Sequence, residues 1–267
     1  MVLVHGWNSY PGVWSKLVAR LEEKSIPAWN FDHSTLRGAS VTDIAISLQA
    51  YIREMRKKTG WDKNIDLVCH SMGTFAARYF VEVVDGKNRG EKVRQVIGLG
   101  PPNNGSALAE LFNSPINGPE ILESLAGQFV SRSFNPSGDT IVQECRPGSR
   151  ILKRLRKAGM RPDILYRVII ATNKKGNPAL FPPLQGKTWE MSADGTWKTT
   201  YDGDGIITRA EANLPGAGMD IVPVDAASLE LRPYDYCHIR LPRNAEVIDR
   251  IVEYLIDPET QPQGFCE

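Results

Sequence analysis

Residues 65–80 read IDLVCHSMGTFAARYF, and this stretch decides the fold. The first six residues, IDLVCH, are a short apolar run of the kind that forms a strand buried on both faces. The segment FAARYFVEVV (75–84) reads as a strongly apolar helix. Only a tight turn is left between them. A strand that enters a helix through such a turn strains the residue at its apex and projects that side chain clear of the sheet. Ser71 occupies the apex. The pattern is G-x-S-x-G with Cys69 in place of the first glycine. The residues two before and two after the serine must be small. Gly73 meets that demand, and Cys69, larger but still compact, departs from it. The plain alternative is a serine in an ordinary strand–helix turn, and the flanking strand and helix argue against it.

Outward from this turn, apolar strands alternate with helices. VLVHG (2–6), AWNFDH (28–33), VRQVIGLG (93–100) and YRVIIAT (166–172) read as further strands. Val13, Trp14, Leu17, Val18 and Leu21 recur at helical spacing over 11–24. Ile44, Leu48, Tyr51, Ile52 and Met55 predict an amphipathic helix over 42–58, with a basic tail suited to its C-terminus and Gly60 to stop it. A closing helix is expected over 244–256. This alternation predicts an α/β fold, a mostly parallel sheet with helices on both faces. One domain is expected over 1–267. Two stretches interrupt the alternation, at about 107–146 and about 173–201. The first carries Leu108, Leu111, Phe112, Ile121, Leu122, Leu125, Phe129 and Val130, enough apolar surface for a lid; a permanently packed helical insertion is the alternative.

Composition narrows the function classes. Among 267 residues, 32 Lys and Arg face 31 Asp and Glu, a net charge of +1, which excludes the basic footprint of a nucleic-acid binder. Hydrophobic residues make up 42% and charged residues 24%, a balance that can build a core and does not suit a disordered chain. No apolar run is long enough for a transmembrane helix. The four cysteines, Cys69, Cys145, Cys237 and Cys266, form no C-x-x-C pair and read as mostly reduced thiols. MVLVHGW carries no secretory signal, so the expectation is a cytoplasmic protein or one whose leader has been removed.

A serine at such an apex needs a base, an acid behind the base, and donors for the charge that develops on the substrate. In this kind of sheet the order along the chain is serine, acid, histidine. Four histidines are present, and His238 alone lies beyond Ser71, in a loop before the closing helix. His5 reads as a structural histidine shaping the loop after the first strand. His70 reads as packed beneath the turn, and His33 as a pocket or core residue. For the acid, YDGDGIITRAE (201–211) offers Asp204, at a turn before what reads as an apolar strand, and Asp202. Asp225 and Asp235 remain further candidates. The backbone N–H groups of Trp7 and Met72 are the expected oxyanion donors. The run 200–211 also approximates a calcium-binding EF-hand loop, but Thr200 stands where a carboxylate is needed, and no incoming helix precedes it. A looser calcium site using Asp202 stays open. No metal or other cofactor is expected.

Taken together, VLVHGWNS, LVCHSMG, IGLGPPNNGS, DGIIT and a late histidine before the last helix resemble the small microbial triacylglycerol lipases and esterases of the α/β-hydrolase fold. The resemblance covers most of 2–106, a patch at 147–155, and the end from about 202. It implies a minimal sheet lacking the usual first strands, with Ser71, Asp204 and His238 as catalytic triad and Trp7 and Met72 as oxyanion donors. It implies hydrolysis of carboxylic esters, lipid acyl esters among them, through an acyl-enzyme, with transient contact between the insertion and a lipid interface. A phospholipase, thioesterase or acyltransferase with the same triad is the alternative. A non-catalytic calcium-binding module is the remote one.

Overall fold

The computed structural model describes residues 1–36, 38–192 and 194–262. Its strands are, in chain order, β1 (Val2–Val4), β2 (Trp29–Phe31), β3 (Ile65–His70), β4 (Val93–Leu99), β5 (Leu165–Ala171), β6 (Thr188–Met191), β7 (Trp197–Thr200) and β8 (Gly218–Val222). The α-helices are α1 (Ser15–Glu23), α2 (Val41–Thr59), α3 (Met72–Tyr79), α4 (Ala107–Leu111), α5 (Gly118–Leu125), α6 (Thr140–Glu144), α7 (Arg150–Ala158), α8 (Arg209–Ala212), α9 (Ser228–Leu231) and α10 (Ala245–Ile256).

Six strands form one sheet in the order β2-β1-β3-β4-β5-β8, and every neighbouring pair in it is parallel. The central strands are apolar along almost their whole length because helices cover both faces. Helices α1 and α10 pack together on one side, while α2 packs on α3 on the other. The local signals are explicit at α2. Ser40 and Asp43 form a reciprocal capping box at its start, and Gly60, left-handed at φ 70°, ends it. Val41, Ile44, Ala45, Leu48 and Ile52 form its buried stripe.

The strands beside the turn at Ser71 lie where the apolar runs predict them, and other elements differ. The helix expected from Phe75 begins at Met72 and passes into a π-helical turn over Phe80–Val84. Ile206 and Ile207 are not a strand; they are buried in an irregular bend, and their apolar character serves packing there. The sixth strand is β8, later in the chain. Its sequence, GMDIV, hides a buried Asp220 that pairs with Arg250 at 2.9 Å. The second insertion holds the antiparallel hairpin β6–β7.

The first insertion packs closely. Leu108, Leu111, Phe112, Ile121, Leu125 and Val130 are all buried. Cys69, Cys145 and Cys237 are free and buried, while Cys266 lies outside the described residues. Among the described residues no helix is long and apolar enough to cross a membrane.

Candidate active site

Ser71 sits between β3 and α3 at φ 52° and ψ −127°, backbone that a non-glycine residue adopts only under strain. Several contacts hold it there. Its N–H donates to Leu99 O on β4 at 2.8 Å, and its carbonyl accepts from Thr74 N at 2.9 Å. Glycine at 73 is required by packing, since a Cβ there would run into the carbonyl oxygens of Val4 and His5. Cys69, fully buried on β3, fits where a glycine was expected.

The chain order expected from sequence brings three distant residues together. His238 opens a short 3-10 helix over His238–Arg243. Its Nδ1 lies 2.7 Å from Asp204 Oδ2 and its Nε2 lies 2.8 Å from Ser71 Oγ. A carboxylate only accepts, so in the neutral ring Nδ1 carries the proton and Nε2 accepts from the serine hydroxyl. Both His238 and Asp204 are buried. Asp204 Oδ1 accepts from the N–H groups of Ile206 at 3.0 Å and Ile207 at 2.8 Å, which fixes the carboxylate plane. The backbone adds a further tie, His238 N to Asp204 O at 2.9 Å.

The other sequence candidates fall elsewhere. The carboxylate of Asp202 takes the guanidinium of Arg209, with contacts of 3.0 and 2.8 Å. Asp225 Oδ1 accepts from Ala227 N at 2.9 Å as a local turn contact. Asp235 lies in the 3-10 turn over Pro233–Tyr236.

His70 packs beneath the elbow, with Nε2 3.0 Å from His238 O, so it donates to the backbone of His238. Burial, and then the neighbouring His238, hold its imidazole well below the usual range. His5 and His33 stack with ring centroids 3.8 Å apart. His33 donates from Nε2 to His5 O at 2.9 Å, and His5 Nδ1 lies 2.9 Å from Gly6 O. His5 therefore shapes the loop that carries Trp7.

That loop runs against the elbow. A Cβ on Gly6 would come within 3.2 Å of Ser71 Cβ. Met72 is the first residue of α3, where N–H groups have no acceptor inside the helix. Among the described residues, neither the Trp7 N–H nor the Met72 N–H has an acceptor.

Three supports went unrecognised in the sequence. Gly100, at φ +53°, lies behind the His–Asp pair; a Cβ there would come within 2.7 Å of Asp204 Oδ2 and 2.9 Å of His238 Nδ1. Its signal is the glycine ending IGLG, on the strand beside the elbow. Thr188, at the start of β6, accepts from Gly205 N at 2.8 Å through its hydroxyl and braces the turn at Asp204. Asp139 caps α6 through Val142 N at 3.1 Å and also takes the indole N–H of Trp7 at 3.0 Å. The last two had no local signal, because their partners lie far away in the chain.

Cavities open around Ser71. One of about 60 Å³ is lined by Ser71 and Met72 and roofed by Leu108, Ala109, Phe112, Phe129, Val142 and Cys145 of the first insertion. A second, of about 200 Å³, reaches both Ser71 and His238 and is bounded by Asn8, Ser9, Gln128 and Ile239.

The fold is the α/β-hydrolase fold. Solved structures similar to this chain include the mature lipase BlEst2 of Bacillus licheniformis, at 19% identity, with 96% of this chain and 90% of that one covered and a TM-score of 0.65. The metagenomic carboxyl esterase MGS0156 is similar at 18% identity, 94% and 74% coverage and a TM-score of 0.55. Phospholipase PlaB from Legionella pneumophila is similar at 14% identity, 96% and 62% coverage and a TM-score of 0.54. A family model described as a domain of unknown function (DUF7379) matches residues 1–115. No curated protein sequence matches this chain.

Proposed function

We propose that the protein is a serine hydrolase of carboxylic esters, working through an acyl-enzyme with Ser71 as nucleophile, His238 as base and Asp204 as the acid that orients it. The observation that carries this reading is the unbroken contact from Asp204 Oδ2 to His238 Nδ1 at 2.7 Å and from His238 Nε2 to Ser71 Oγ at 2.8 Å, at a strained strand–helix turn.

In the first step Ser71 Oγ bonds to the ester carbonyl carbon as its proton passes to His238 Nε2. Charge collects on the former carbonyl oxygen, where the N–H groups of Trp7 and Met72 receive it. Collapse breaks the bond to the alcohol oxygen, which leaves with the proton from His238. Water then enters, gives a proton to His238 and attacks the acyl carbon. The acid departs and the proton returns to Ser71. Buried Asp204 holds the ring's tautomer and stabilises the imidazolium that forms twice in the cycle. The step needs no metal or cofactor. Lipid acyl esters are within this class, with the first insertion roofing the acyl site and meeting a lipid interface.

Replacement of Ser71 tests the reading. Ser71→Ala should lower kcat on a p-nitrophenyl ester by roughly 10⁶-fold while leaving the thermal midpoint nearly unchanged. Retention of esterase activity in that variant would defeat the assignment.

A further inference from the structure

Trp7 is the residue common to three cavities at the site. It lines the apolar chamber of about 60 Å³ beside Ser71. It lines the chamber of about 200 Å³ that reaches His238. It also lines a third chamber of about 380 Å³, bounded by His33, Leu36, Ala39 and Ile44 among others. This inference rests on the ester-hydrolase reading and deepens it toward a substrate class.

The chemistry assigns the first two chambers. The leaving alcohol oxygen must take its proton from His238 Nε2, so the alcohol occupies the chamber that contains His238. The acyl chain occupies the one that contains Ser71 and Met72 but not His238. At about 60 Å³ the acyl chamber is the smallest of the three, against about 200 and 380 Å³, so it suits a short acyl chain.

The wall between the acyl chamber and the third chamber is Trp7, Met72 and Ile141, the residues the two share. The indole in that wall is fixed. Its Nε1 donates to Asp139 Oδ2 at 3.0 Å. Its face meets Phe129 and Phe134 edge-on, with centroids 5.6 and 5.2 Å away. These partners all come from the first insertion, so the insertion holds the partition shut.

We infer that the Trp7 side chain is a specificity-determining partition, which restricts the enzyme to esters of short acyl chains and shuts off a larger chamber that would take longer ones. Because the Trp7 backbone also serves the oxyanion, the readout is the ratio of kcat/KM between esters within each variant, not its turnover on any one of them.

The test is a series of p-nitrophenyl esters from acetate to palmitate, read as kcat/KM, on the wild type, Trp7→Ala, Trp7→Phe and Ile141→Ala. The wild type should be fastest on the short-chain esters and at least tenfold slower on the twelve-carbon ester. Trp7→Ala should raise the ratio of twelve-carbon to four-carbon activity at least tenfold, through a lower KM for the longer ester. Ile141→Ala opens the same wall from the insertion side and should move the ratio in the same direction, so the test stands even where Trp7→Ala folds poorly. Trp7→Phe loses the bond to Asp139 but still fills the wall, and should keep the wild-type ratio. Hydrolysis by the wild type with a preference for long chains, or ratios unchanged in both alanine variants, overturns the partition and leaves the ester-hydrolase reading standing. A wild type that neither turns over any ester nor reacts with a serine-directed phosphonate overturns both.

Discussion

Gly100 places a demand that no polar residue of the site reveals. The carboxylate of Asp204 and the imidazole of His238 occupy the space where its side chain would be, and its φ of +53° disfavours any L side chain. Gly100→Ala should therefore act in two ways. The left-handed backbone costs about 1 kcal/mol or more in stability. The methyl group displaces the His–Asp pair, and a displacement near 1 Å can cost about 10²-fold in rate. The expected outcome is a kcat lowered by roughly two orders of magnitude in a protein that still folds, with circular dichroism melts run beside the kinetics. A variant with wild-type kcat would mean that the pair has room to spare. The sequence shows Gly100 only as the end of a strand, because a demand for empty space is set by whatever packs opposite.

At the scale of elements, much of the architecture is legible because buried parallel strands and amphipathic helices leave strong periodic signals. β3, β4 and β5 read directly from IDLVCH, VRQVIGL and LYRVIIA. β8 does not, since its buried Asp220 is satisfied by Arg250 from a helix nearly thirty residues further on. The opposite error occurs at Ile206 and Ile207, whose apolar side chains line a cavity outside the sheet. The ends of β1 and β2 carry a further consequence. Burial, with the charge of His5 next in importance, pushes His33 down to about 4. An unfolded histidine titrates near 6.5, so between these values the unfolded chain binds more protons than the folded one. The stability from this residue is present above about pH 6.5 and is lost as pH falls toward 4. From pH 7 to pH 5 the loss is roughly 2 kcal/mol. His33→Gln should flatten the acid-side decline in urea midpoints by about that amount, and a variant whose decline parallels the wild type would contradict the argument. Some acid sensitivity should remain, since burial depresses His5 and His70 in the same direction.

Across the whole molecule, the site is an assembly of loops at one rim of the sheet. Ser71 follows β3, Trp7 follows β1, Gly100 follows β4, and Asp204 and His238 come from the two halves that flank β8. The order of serine, acid and histidine was readable, because a parallel sheet brings the ends of its strands to a common edge. Asp204 and Asp202 are told apart by partners that the local sequence does not show, His238 for one and Arg209 for the other. Cavity size and the clamp on Trp7 were not readable at all, since they arise where the first insertion folds back over the β1 loop. The central claim is that Ser71 is an activated nucleophile, and intact-mass analysis after reaction with a fluorophosphonate measures this most directly. The account predicts one adduct per chain, mapped to Ser71, absent in Ser71→Ala and slowed at least a hundredfold in His238→Ala. An unmodified wild-type chain, or an adduct on any other residue, would contradict it.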